Sequence, residues 1–249
     1  MANILILGAG SMGTAFSFPC SDNGHSVSIV GTHLENDFID KINSTKKHPA
    51  LDCEVQKNVK FFKFEKLKEE INKKIDLIVI AVVSKGIEWA SNEISKVLKS
   101  NVPILILTKG LAINNNNYEV LAHKMERLLK KNGMKETNIS AAGGPCLAKN
   151  LANKAHTAVV FANNDIKIAE KISKLVSTDY YHVSTTDDVV GVETCAAIKN
   201  IFSMAVGASQ GLCDAKQSKE KNYLNTAAAL MQESIYEMIT FVEKLKGKK

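Results

Sequence analysis

The chain lacks any cysteine pattern that would staple or ligate. Its five cysteines, Cys20, Cys53, Cys146, Cys195 and Cys213, are odd in number, and no two are spaced C-x-x-C. Neither a disulfide framework nor a zinc cage is expected, and a reducing cytoplasm is the expected location. No uninterrupted apolar run approaches the roughly 18 residues of a membrane span. No basic segment leads into an apolar one with a cleavage site, so no signal peptide is expected either. Aromatics are scarce at 6%, and nearly all the basic residues are lysines. Lysines such as Lys63, Lys66, Lys68, Lys73 and Lys74 are scattered as solvated faces. A nucleic-acid stripe would be clustered and interleaved with aromatics, so nucleic acid is not the expected partner. The net charge of +6 still gives a modest positive field that favours anionic ligands.

What is present is ordinary globular composition, 45% hydrophobic and 23% charged over 249 residues, enough for one large or two modest domains. The most informative stretch follows the apolar run Ile4-Leu5-Ile6-Leu7. It reads Gly8-Ala9-Gly10-Ser11-Met12-Gly13 and leads into a segment with helical character. G-x-G-x-x-G between a strand and a helix is the setting of a dinucleotide site. Gly8 permits the tight turn, Gly10 lets the backbone approach a pyrophosphate, and Gly13 allows close helix–strand packing. The helix N-terminus offers its free N–H groups to the phosphates.

Short apolar runs then alternate with amphipathic stretches. Strands are expected at Ile4–Leu7, Ser26–Val30, Asp76–Val83, Pro103–Leu107, Ile139–Ala142 and Thr157–Ala162, with a short edge strand near Phe61–Phe62. Helices are expected at Thr14–Asn23, Ile87–Leu98, Tyr118–Lys131 and Ile166–Val176. Gly24 is a candidate C-cap, Pro19 is expected to kink or shorten the first helix, and Asn114–Asn117 reads as a polar loop. This alternation predicts an α/β fold, a Rossmann-type doubly wound parallel sheet spanning residues 1–187. From Val190 to Gly211 the chain is apolar or small except for Glu193 and Lys199, and Ala227–Leu245 has helical periodicity. An all-helical second unit is therefore expected over 188–249. Two helices make too small a domain to stand alone, so they lean on the first domain, a partner chain, or both.

On the cofactor side, the second strand ends Val30-Gly31-Thr32-His33 with no carboxylate at its tip; Glu35 is the first, in the next loop. An acid there favours NAD. Thr32 and His33 are candidate donors to an NADP 2′-phosphate, or simply solvent-exposed. On the catalytic side, Lys109 follows the Pro103–Leu107 strand, where open α/β sheets bind ligands. Lys199 lies in the apolar helix Ala196-Ala197-Ile198-Lys199-Asn200. Desolvation would lower its pKa and make it a proton carrier; alternatively it snorkels or pairs with Glu193. Gly143-Gly144-Pro145-Cys146 is either a substrate contact or a plain strand-to-loop turn. No histidine is obviously paired with Cys146, which argues against a nucleophile.

Taken together, Gly8–Gly13 with Thr14-Ala15, Asn23-Gly24-His25, Leu107-Thr108-Lys109-Gly110-Leu111, Gly144-Pro145 with Ala148-Lys149, and Gly191-Val192-Glu193 followed by Ala197-Ile198-Lys199-Asn200 resemble the NAD(P)-dependent sn-glycerol-3-phosphate dehydrogenase family. The resemblance runs from residue 3 to about residue 240. It implies that Ser11, Met12, Thr32 and Ala148 touch NAD or NADP, and that Lys109 lies between cofactor and substrate. It implies that Gly144 and Cys146 hold glycerol 3-phosphate, Cys146 standing where the family has Ser or Thr. Lys199 would be the general acid/base, supported by Asn200. The implied reaction interconverts dihydroxyacetone phosphate and sn-glycerol 3-phosphate, a route into glycerophospholipids, with no metal.

The sequence also departs from that family. Its later Gly-Leu-Gly-Asp and Ser-Arg-Asn motifs are not found, and the expectation is a shortened substrate domain. The family's Thr-Arg-Gly appears as Gln232-Glu233-Ser234, and a family Lys or Arg appears as Ala227. Losing a charge-assisted phosphate contact commonly costs about 1.5–3 kcal/mol. Three readings follow: a glycerol-3-phosphate dehydrogenase, completed if need be by a homodimer or a complementing chain; a non-catalytic homologue that binds dinucleotide only; or a dehydrogenase for another small phosphorylated or acyl substrate.

Overall fold

The structure is a computed structural model and describes residues 1–51, 53–98, 101–215 and 224–248. Along the chain, β1 (Asn3–Leu7) is followed by α1 (Ser11–Asp22), β2 (Ser26–Val30) and α2 (Asn36–Thr45). A small hairpin of β3 (Lys47–His48) and β4 (Cys53–Glu54) precedes β5 (Val59–Phe62) and the short α3 (Leu67–Ile71). Next come β6 (Leu77–Ile80), α4 (Ile87–Ser95) and β7 (Ile104–Ile106). A second hairpin, β8 (Leu111–Asn114) and β9 (Asn117–Val120), leads into α5 (Leu121–Lys131). The sheet region ends with β10 (Ile139–Gly143), α6 (Ala148–Ala152), β11 (Thr157–Ala162), α7 (Ile166–Val176) and β12 (Tyr181–Thr186). Two long helices follow, α8 (Val189–Ala215) and α9 (Leu224–Lys244).

Eight strands form one sheet in the order β12-β11-β10-β7-β6-β1-β2-β5. From β1 the chain steps outward through β2 to β5, then returns to the other side through β6 and β7. The direction therefore switches between β1 and β6, at whose carboxyl ends such sheets bind ligands. Alternate residues of β1 serve opposite faces: Ile4 and Ile6 pack with Phe16 and Phe161, while Leu5 and Leu7 pack with Ile78, Ile80 and Leu129. Burial on both faces is why these strands read as unbroken apolar runs.

The sheet is not wholly parallel. β10 and β11 pair antiparallel, and β12 runs parallel to β11. The link between β10 and β11 holds only the five-residue α6, too little for the helical crossover a parallel return requires. Pro19 does not end α1, which continues to Asp22; Gly24 then takes φ +75° beyond the C-cap. The expected helix over Tyr118–Lys131 begins only at Leu121. Tyr118 belongs to β9, and the expected polar loop is the tip of the β8–β9 hairpin, with Asn115 and Asn116 at φ +49° and +61°. Both positive φ values suit the tight turn that matches strand twist.

α8 starts on the end of β10 and packs along α9. The expectation of no membrane-length apolar segment meets one exception. Among the described residues, Val189–Asp214 is long and apolar enough to cross a membrane by length and composition alone. Core helices pass the same test, and the first turns of this one are buried at Val189, Glu193, Thr194 and Ala196.

Candidate active site

The glycine loop sits at the switch point. Gly8 adopts φ +112°, and a Cβ there would stand 2.7 Å from the Ala81 carbonyl oxygen. At Gly13 it would stand 2.2 Å from the Gly8 oxygen. Both glycines are required by the chain's own packing. Gly10 is different: the nearest atom to an added Cβ is Glu35 Oε1 at 4.0 Å. A side chain there would project into open space, so its absence serves a ligand. Gly10 is also the N-cap of α1; it offers no side-chain cap, and the first turn carries no acid. The N-terminal amides and the helix dipole are thus left for an anion. These features fit the pyrophosphate of a dinucleotide.

Glu35, the first carboxylate after β2, reaches back to the glycine loop. Although it lies beyond the tip of β2, its Oε2 accepts from Thr32 N at 2.6 Å and from Ala9 N at 3.2 Å. The loop folds back and sets a carboxylate against the glycine turn. Thr32 thereby has its amide engaged, and its hydroxyl accepts a long bond from Leu34 N. His33 is exposed and lies beside the rings of Trp89 and Phe64, with centroids 5.3 and 6.4 Å away. Nothing local in the sequence marked this aromatic group, because it joins residues from three separate connections.

The second half of the site lies at the ends of β7 and β10. Thr108 Oγ1 donates to the Val82 carbonyl at 2.6 Å and fixes the turn that carries the exposed Lys109. Gly144, at φ +119°, leaves no room for a side chain: a Cβ would be 3.0 Å from Val159 Cα. Its carbonyl accepts from Lys199 Nζ at 2.8 Å. Lys199 is half-buried, and Lys109 stands beside it. Desolvation, then the Lys109 charge, hold the Lys199 ammonium below the ordinary lysine range. Burial raises the Cys146 thiol, and both lysines oppose that rise, so the three side chains share one locality.

The structure therefore brings together Lys109, Gly144, Cys146 and Lys199. Met12, Cys146 and Ala148 pack on the same core cluster, which links the glycine loop to this group. Asn200 is exposed, about 100° around α8 from Lys199. A cavity of about 730 Å³ opens beside Lys199, lined among others by Gly144, Cys195, Ile235, Ile239 and Val242. Glu233 is exposed and does not line it.

Lys199 does not pair with Glu193. Six positions apart, the two point to different faces of α8. Glu193 is 4% exposed, and its Oε2 accepts from Ala122 N at 2.8 Å. Burial pushes its carboxyl up to about 8, against the pull of the Ala122 and Leu121 amides.

A dinucleotide loop and two converging lysines at neighbouring strand ends narrow the field, and comparison with known proteins decides it. The model for the NAD-dependent glycerol-3-phosphate dehydrogenase N-terminus matches residues 3–169, and that for the C-terminus matches 188–249. The chain belongs to the NAD-dependent glycerol-3-phosphate dehydrogenase family. It is 30% identical over 244 residues to the NADP(+)-dependent glycerol-3-phosphate dehydrogenase of Archaeoglobus fulgidus, covering 98% of this chain and 70% of that protein. It is also 30% identical to the glycerol-3-phosphate dehydrogenase [NAD(P)+] of an Exiguobacterium species, covering 98% of this chain and 67% of that one. Among solved structures, the glycerol-3-phosphate dehydrogenase of Coxiella burnetii superposes with a TM-score of 0.80 at 27% identity, over 99% of this chain and 70% of that chain. As a member of this family, the chain carries its NAD(P)-binding domain on the first sheet.

Proposed function

We propose that this chain is an oxidoreductase that interconverts dihydroxyacetone phosphate and sn-glycerol 3-phosphate with NAD(P)H, Lys199 acting as general acid/base. The observation that carries the reading is the Lys199 ammonium, half-buried, held on the Gly144 carbonyl at 2.8 Å beside Lys109. The Gly8–Gly13 loop and the α1 N-terminus would hold the nicotinamide cofactor, which supplies or accepts the hydride at C2. Lys199 gives its proton to the C2 oxygen as the ketone is reduced and takes it back in the reverse direction. A lowered pKa suits it to both roles near neutrality. Lys109 adds a second positive charge for the substrate's phosphate. Gly144 and Cys146 shape the floor on which the substrate rests, with Asn200 beside the acid/base. The proposed product is the glycerol backbone of phospholipids.

One observation favours a second reading, a homologue that binds dinucleotide without turnover. The only arginine in the sequence, Arg127, is held by Glu119 through two bonds of 2.9 and 2.7 Å. Within the described residues the positive groups beside the proposed site are the lysines Lys109 and Lys199. The deciding experiment mixes the chain with dihydroxyacetone phosphate and either NADH or NADPH and follows the nicotinamide absorbance. Cofactor binding is read in parallel from Trp89 fluorescence. Turnover supports the first reading. Quenching with no turnover supports the second.

The exposed apolar residues Ile201, Met204, Met231 and Tyr236 support a covered α8–α9 face in the working protein, by a second copy or a complementing chain. Particle mass in solution tests this.

A further inference from the structure

Glu193 is the carboxyl group in the first turns of α8; the proposed reaction does not use it, yet it is almost wholly buried. Its carboxyl group reaches away from Lys199 to the N-terminus of α5. There Ala122 N donates to Oε2 at 2.8 Å, and the neighbouring Leu121 amide also favours the ionised carboxyl. α5 has no cap of its own, since its N-cap is Val120 and its first turn carries no acid. Glu193 therefore supplies in trans what most helices take from a local Ser, Thr or Asp.

The bond joins two particular segments. Leu121 and Ala122 follow directly on the β8–β9 hairpin, which begins at Leu111, two residues past Lys109. The same hairpin lies against α8. On the other side, Glu193 stands six residues before Lys199, about 9 Å along a rigid helix. Gly143 lets α8 sit directly on β10: an added Cβ would be 2.7 Å from Val192 Cγ1. The α8 register is thus held at Val192 against β10 and at Glu193 against α5.

We propose that Glu193 is a positioning residue: by capping α5 from α8 it sets the separation of Lys109 and Lys199. This rests on the acid/base reading of Lys199, but it makes a claim about the lysines that does not need turnover. If the tie is cut, α8 is freed to shift, Lys109 and Lys199 move apart, and Lys199 loses the neighbouring charge that depresses it. Among the described residues the titratable groups acting on Lys199 are Lys109 and Cys146; Glu193 answers only to the two backbone amides.

The test titrates Lys199 directly. Lysines are labelled by reductive ¹³C-methylation, and the Lys199 resonance is assigned by its absence in Lys199→Arg. In Glu193→Ala, Lys199 is expected to bind its proton about tenfold more tightly, titrating about one pH unit higher. Glu193→Gln keeps the reach and one acceptor oxygen, and is expected to restore most of the wild-type titration. Where wild type turns over, kcat follows the same order while cofactor affinity stays unchanged. If Glu193→Ala does not fold, Glu193→Asp replaces it, one methylene too short to cap α5. A folded Ala or Asp variant in which Lys199 titrates as in wild type overturns the proposal. Absence of turnover in wild type overturns only the catalytic reading, since the titration needs no substrate.

Discussion

The sheet region and the α8–α9 pair use similar apolar residues to different effect. In the sheet region Leu5, Ile6, Leu7, Ile78 and Phe161 are fully buried, and its strands and helices cover one another. In α8 and α9, Ile201, Met204, Leu212, Met231, Ile235 and Tyr236 face outward, from 48% to 72% exposed. A dinucleotide platform can thus be complete within one sheet. The proposed substrate side is made at a junction, where the first turns of α8 are packed on the sheet region. The two lysines of the proposed reaction sit at that junction: Lys109 belongs to the sheet and Lys199 to the helix pair.

The strongest way to separate the two regions is to remove the proposed proton carrier, Lys199. Lys199→Ala is expected to lower turnover by about 10²–10⁴-fold, the usual worth of a general acid/base. Cofactor binding, read by Trp89 fluorescence, should stay near wild type, because the loop that holds it lies on β1 and α1. A Lys199→Ala enzyme as fast as wild type would remove Lys199 from the mechanism.

Core and arm should also differ in stability. Phe161 is 0% exposed, and Phe161→Ala should cost about 3–5 kcal/mol. In the chain alone Met204 is 72% exposed, and Met204→Ser should there change stability by less than about 0.5 kcal/mol; the proposed cover over the α8–α9 face would raise that loss. Urea unfolding of both variants measures the contrast. Equal losses would mean that the α8 surface is covered in solution.

Gly13→Ala tests the tightness of the platform itself. The new methyl would lie 2.2 Å from the Gly8 oxygen, so β1 and α1 must part. Overpacking of this kind costs about 1–3 kcal/mol, and cofactor affinity should fall with it. An added methyl at Gly10 meets no protein atom within 3.4 Å, so Gly10→Ala should leave stability unchanged and weaken only the cofactor. Thermal melts with and without NADH distinguish the two.

Much of this platform was legible in the sequence. β2, β11 and α7 begin and end where the apolar runs do, because strands buried on both faces and a helix with one apolar face leave strong patterns. β12 was not legible: Tyr181–Thr186 is an edge strand, half of it Ser and Thr, and it looks like a loop. The antiparallel turn at β11 was hidden because a strand carries no mark of its direction. In the site, the glycines and lysines stand out by type and position. Glu35 and Glu193 do not, since their partners are backbone amides, one of them 71 residues away, and an amide has no sequence signature.

Glu35 offers the finest comparison, between the platform's packing and its choice of ligand. Its carboxylate bonds Ala9 N and Thr32 N and stands 4.0 Å from the space that Gly10 leaves free. In dinucleotide folds that region receives the adenosine ribose, where a carboxylate favours a 2′-hydroxyl and opposes a 2′-phosphate. Thr32 and His33 alone would have pointed towards the phosphorylated cofactor. Glu35→Gln keeps an acceptor for the loop and removes the charge. Stability should fall by about 1 kcal/mol or less, the worth of one weakened hydrogen bond. The ratio of NADPH to NADH affinity should rise by about three- to tenfold, as expected when a neighbouring like charge is removed at the protein surface. Fluorescence titrations of Trp89 with both cofactors give that ratio. A stability loss with no change in the ratio would make Glu35 a clamp for the glycine turn alone, and would return the choice of cofactor to Thr32 and His33.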